Sequence, residues 1–154
     1  MRRISLFSSV LLSVVMYGHA LAADGLIQRQ SPYSVDQTVA RFVERAEDKG
    51  LTIFATVDHA AGAQTAGLSL RPTTVVIFGN PKGGTPFMQC AQTVGIDLPL
   101  KALIYRDANG QVWLSYNDPD YIAKRHDVDD CAAVAPITKA LAGLAEATVA
   151  RGDD

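Results

Sequence analysis

Residues 100–116 read LKALIYRDANGQVWLSY, and this stretch decides the fold class. Two runs rich in apolar residues, Leu100–Arg106 and Gln111–Tyr116, flank Asp107-Ala108-Asn109-Gly110. β-Branched and aromatic residues fit a pleated, half-buried surface, and Asn-Gly supplies the positive φ angles of a tight hairpin. Strands joined this closely must be antiparallel, because a parallel pair needs a crossover of a dozen or more residues. Tyr105 and Trp113 are expected on opposite sides of the hairpin, with Trp113 a candidate contact between two copies.

Upstream, Thr73–Phe78 (TTVVIF) is continuous and β-branched, which predicts a strand buried on both faces. Leu51, Ile53, Ala55 and Val57 alternate and predict a half-buried strand with these four on one side. Residues 25–30 form a weaker first strand. Ser34 is a good helix cap, and Gln37 three residues later completes a capping box. Val35, Val39, Phe42, Val43 and Ala46 then share one helix face before Gly50. Asp58 caps a short helix over residues 59–66, ended by Gly67. Thr85 is read as the cap of another helix, with Pro86 at its first position and Gly95 beyond its end. Phe87, Cys90, Ala91 and Val94 would share its apolar face. Asp118-Pro119 opens a helical turn to about Arg125. Residues 136–149 form the last helix, with Ile137, Leu141, Leu144 and Thr148 in one stripe, and residues 151–154 fray. The order predicts an α+β fold: a mostly antiparallel sheet with helices on one face.

The chain opens Met1-Arg2-Arg3, continues with an apolar run to Tyr17, and reaches Ala20-Leu21-Ala22-Ala23. A basic start, a short apolar middle and a small-x-small end describe a secretory signal peptide over residues 1–22. The run is shorter than the roughly 18 to 20 residues of a spanning helix, so no membrane segment is expected after cleavage. The expected product, residues 23–150 plus a short tail, is one domain in the periplasm or outside the cell. It carries 12 basic and 16 acidic residues, a balance that argues against nucleic acid. An even number of cysteines in an exported chain favours a disulfide between Cys90 and Cys131, the alternative being two buried thiols.

Several segments occur together in order. They are Ala66-Gly67-Leu68, Leu70-Arg71-Pro72-Thr73, Phe78-Gly79-Asn80-Pro81-Lys82, Gly84-Thr85-Pro86, Asp97-Leu98-Pro99-Leu100-Lys101 and Tyr116-Asn117-Asp118-Pro119. On these motifs the chain closely resembles domain-of-unknown-function family 302 across roughly residues 33–127. The resemblance implies a fold similar to the TATA-box-binding-protein-like class, as a single copy with added helices and often as a homodimer. It implies neither DNA binding nor any established activity.

The residues themselves offer one leading site. In the loop 79–86, Gly83 and Gly84 allow backbone N–H groups to converge, Thr85 opens an electropositive helix end, and Lys82 adds a charge. That is a recipe for an anion site; the plainer account is a rigid turn. Asn80, Lys82 and Lys101 are the expected polar contacts, and Asp97 with Asn80 would form a pocket wall, unless Asp97 and Lys101 only clamp the strand entry. His59 or His126 with Asp97 could supply acid–base chemistry, or join Cys90 or Met88 as soft metal ligands. No HxxxH, CxxC, Walker or GxGxxG pattern is present, so no metal or cofactor is expected. Three functions stay open: a non-catalytic module binding a small ligand or a protein partner, a small hydrolase or isomerase, and a thiol or metal protein.

Overall fold

The computed structural model describes residues 24–152. The leader expected over residues 1–22 lies outside the described residues, as does the tip of the tail, 153–154. Five strands form one sheet: β1 (Leu26–Ser31), β2 (Thr52–Asp58), β3 (Thr73–Gly79), β4 (Leu100–Arg106) and β5 (Val112–Asn117). Their order is β1-β5-β4-β3-β2, and every pairing is antiparallel. Five helices complete the domain: α1 (Val35–Asp48), α2 (His59–Thr65), α3 (Pro81–Cys90), α4 (Pro119–Arg125) and α5 (Val134–Val149). A 3₁₀ turn, Gln92–Ile96, joins α3 to β4.

The main core lies between one sheet face and the helices α1 and α5. Val76, Phe78, Ala102, Ile104 and Leu114 meet Phe42 and Ala46 of α1 and Leu141 and Leu144 of α5. Phe42 and Phe78 pack edge to face with ring centroids 5.0 Å apart. On β3 only Thr74, Val76 and Phe78 are buried, while Val75 and Ile77 on the other face are half-buried. Burial on both faces is therefore not found. The β-branched run reflects strand propensity at every position, and helices cover one side alone. A second core, Phe87, Val94, Ile122, Ala123, Cys131 and Val134, joins α3, the 3₁₀ turn, α4 and the start of α5.

Strand β2 departs from simple alternation. Ile53 pairs with Phe78 and Ala55 with Ile77, so Phe54 is the extra residue of a bulge. Leu51 and Ile53 pack against the core as expected, but Val57, beyond the bulge, is 40% exposed. The 107–110 connection also differs from the expected pair of positive φ angles at Asn109 and Gly110. Gly110 takes a φ of +82°, whereas Asn109 stays outside the left-handed region. The Asp107 carboxylate instead accepts the backbone N–H groups of Asn109 and Gln111 at 2.8 and 2.9 Å. Tyr105 and Trp113 lie directly opposite each other, so they share a face rather than dividing between two. The Trp113 indole N–H donates to Asp107 Oδ2 at 2.9 Å.

The helices mostly start where their caps stand. Ser34 and Gln37 form the full capping box of α1, and Gly50 follows it with φ +71°. Asp58 caps α2 by accepting the Ala61 N–H at 2.9 Å, and Gly67 has φ +74°. Helix α5 begins at Val134, two residues before Pro136. Proline is tolerated there because the first turn has no intrahelical use for its N–H. The chain beyond α5 stays tied through Gly152: Tyr33 Oη and Arg41 donate to the Ala150 carbonyl, and the Gly152 N–H donates to Tyr33 Oη.

Candidate functional site

The glycine-bearing corner after β3 is helix, not loop. Asn80 caps α3: its Oδ1 accepts the Lys82 N–H at 2.8 Å, and Pro81 takes the first helical position. Asn80-Pro81 carries the same cap-plus-proline signature as Thr85-Pro86, five residues earlier. The glycines hid it, since each costs a helix about 1 kcal/mol relative to alanine. Pro86 stands inside α3, the helix ends at Cys90, and Gly95 belongs to the 3₁₀ turn.

This removes the anion-site reading of the corner. The N–H groups of Gly83 and Gly84 both donate to the Asn80 carbonyl at 3.0 Å, so they do not converge on an outside ligand. The Asn80 side chain is also engaged, because its Nδ2 donates to the Gly50 carbonyl at 3.1 Å. It pins the end of α1 to the start of α3. Lys101 Nζ donates to the carbonyls of Asp97 and Pro99, each at 3.0 Å.

Beside the corner lies an open pocket of about 570 Å³. Four of the expected site residues line it: Asn80, Gly83, Gly84 and Thr85. Lys82, Asp97 and Lys101 do not. The facing walls are Leu98, Pro99 and Leu100 on one side and Ile137, Ala140 and Leu141 of α5 on another. Leu100 and Ile137 pack against both cores, which places the hollow where the two cores meet. Phe54, pushed out by the bulge and 54% exposed, contributes to the rim. The α3 wall is thin because its glycines carry no side chain. A Cβ at Gly83 would meet nothing within 4 Å, and one at Gly84 would lie 3.5 Å from Leu98 Cδ1. Packing does not require glycine at either position. The sequence singled out the corner, but nothing in it signals the α5 wall.

The histidines separate. His59 is exposed at the start of α2, next to the Asp58–Thr74 end of the sheet, whereas Asp97 stands beyond the Phe78–Leu100 end. His126, just past α4, does meet Asp97: Nε2 lies 2.7 Å from Asp97 Oδ2, and Nδ1 lies 3.0 Å from Thr93 Oγ1. Arg125 Nη1 adds a 3.0 Å contact to Asp97 Oδ1. A neutral ring donating from Nε2 to the carboxylate leaves Nδ1 to accept the Thr93 hydroxyl. None of these residues lines the pocket, so the acid–base pair and the hollow are separate features. Cys90 and Cys131 are joined, with Cα atoms 6.1 Å apart, which ties α3 to the chain before α5. Cys90 is exposed rather than part of an apolar face. Among the described residues no group of three or more His, Cys, Asp or Glu is placed to hold a metal ion.

The family described as domain of unknown function DUF302 matches residues 27–147. The fluoride-specific ion channel FluC 1 of Brucella suis biovar 1 is 47% identical over 104 residues, 68% of this chain and 41% of that protein. FluC 1 of Brucella abortus biovar 1 is likewise 47% identical over 104 residues, 38% of its length. The chain thus spans about two fifths of the curated relatives it matches. A crystal structure of an uncharacterized conserved DUF302 protein from Bacillus stearothermophilus has the same fold. Its TM-score is 0.74 at 19% identity, covering 82% of this chain and 99% of that one.

Proposed function

The chain belongs to the DUF302 family, and from that premise we propose that it is a non-catalytic small-ligand-binding module, exported to the periplasm or beyond. The observation that carries this reading is the apolar pocket of about 570 Å³ where the two cores meet. Sites for small molecules are concave and mostly apolar, with few polar groups, and commonly measure about 300 to 1,000 Å³. The basic, apolar and Ala20-x-Ala22 segments of the leader support export. Native mass spectrometry of the protein recovered from its own cells tests both parts. A mature chain beginning at Ala23 with an added small-molecule mass is the expected result. A chain retaining residues 1–22 would reject export, and a ligand retained by an Ala140→Phe variant would reject the pocket.

A second reading comes from the relatives. The Brucella proteins sharing 104 residues with this chain are named fluoride-specific ion channels, and in this reading the domain serves fluoride export. Deletion should then lower the fluoride tolerance of the source cell. Unchanged tolerance ends this second reading and leaves the first in place.

A further inference from the structure

We infer that the pocket takes a single-chain amphiphile with an anionic head, free in solution, its alkyl tail against α5 and its head beside Lys49. This rests on the ligand-binding reading above and adds the chemical class. The walls are almost wholly hydrocarbon, and Lys49 is the one charged residue among those that line the hollow. Its ammonium has no carboxylate partner among the described residues. The other polar side chains at the pocket are Asn80 and Thr85, and the Asn80 amide is occupied in capping α3 and holding Gly50. A sugar or nucleotide spreads donors and acceptors over its whole body, and burying them here would leave most unsatisfied. A ligand whose polarity is confined to one end avoids that cost. Lys49 follows the last turn of α1 and is exposed, so a head group there remains at the mouth while the tail enters. A flexible alkyl chain also suits the irregular wall of glycine, proline and leucine. Each methylene removed from water contributes on the order of 0.8 kcal/mol.

The test uses the mature chain from Ala23 and the neutral apolar dye N-phenyl-1-naphthylamine as reporter. Decanoate, decanol and decyltrimethylammonium displace it in parallel titrations below their micelle concentrations. Decanoate is expected to displace the dye about threefold more tightly than decyltrimethylammonium, the size of an exposed charge contact, with decanol between them. Lys49→Gln should bring the three together without changing dye affinity, Lys49→Glu should reverse their order, and added salt should shrink the wild-type difference. Equal displacement by anion and cation in the wild type, or a preference that survives Lys49→Gln, overturns the head-group assignment alone. Failure of the dye to bind overturns the pocket reading beneath it.

Discussion

The imidazole of His126 and the carboxylate of Asp97 meet at 2.7 Å, with side chains only 8% and 12% exposed. The contact ties the residue after α4 to the residue after the 3₁₀ turn, immediately before Leu98 and Pro99 of the pocket wall. A buried group that loses its partner costs about 1 to 3 kcal/mol. Asp97→Ala and His126→Ala should each lower stability by about 2 kcal/mol, and the double variant should lose clearly less than the sum. A denaturant double-mutant cycle measures this; strictly additive losses would show that the two groups do not interact. Arg125, whose side chain is 54% exposed, should matter little, and Arg125→Ala should cost under about 1 kcal/mol.

The Cys90–Cys131 bond spans 41 positions. In the chain-entropy account a loop of that length restricts the unfolded chain by about 4 kcal/mol. The Cys90→Ser, Cys131→Ser double variant should therefore unfold at much lower denaturant than the oxidised protein. Thiol titration of unfolded, unreduced protein should find no free thiol. Two free thiols, or equal midpoints, would contradict the bond.

Two glycines should respond in opposite directions to alanine. Gly83 is helical, and its Cβ would meet open space, so Gly83→Ala should stabilise by about 0.5 to 1 kcal/mol. Gly50 holds φ at +71°, where a side chain is strained, so Gly50→Ala should destabilise by about 1 kcal/mol. Thermal melts of both variants decide the matter, and a destabilised Gly83→Ala would place that residue outside a helix.

Asp107 titrates low. The Trp113 indole N–H holds its carboxyl below the ordinary value against the opposing effect of desolvation, and the Gln111 and Asn109 N–H groups and Arg71 assist. A lowered folded value means a stabilising contribution that is present above the unfolded value, near pH 4, and is lost as pH falls through the folded one. The stability difference between wild type and Asp107→Asn should shrink on acidification below about pH 4. A difference independent of pH down to acid unfolding would show that this carboxylate is not held in its charged form.

Much of the fold was legible because its signals are local. The Ser34–Gln37 box, the Asp58 cap, and the turns at Gly50, Gly67 and Gly110 act within a few residues, and all appear where their chemistry puts them. What failed was long-range or ambiguous. Thr73–Phe78 shows strand propensity but not how many layers cover it. The bulge at Phe54 arises from pairing with β3, which no pattern within β2 records. Two cap-plus-proline signatures compete in residues 80–86, and α3 starts at the first. The corner at Asn80–Thr85, read as an anion loop, is instead the helical wall of an apolar hollow. The missing wall came from α5, more than fifty residues away, and no local rule joins the two.

The central claim is that this hollow admits a ligand. Titrating N-phenyl-1-naphthylamine into wild type and into Gly83→Leu and Ala140→Phe variants, with melting temperatures confirming the fold, tests it most directly. The account predicts saturable one-to-one binding to wild type, with both space-filling variants folded and at least tenfold weaker. Saturable binding that both variants retain, or none by the wild type, would contradict it.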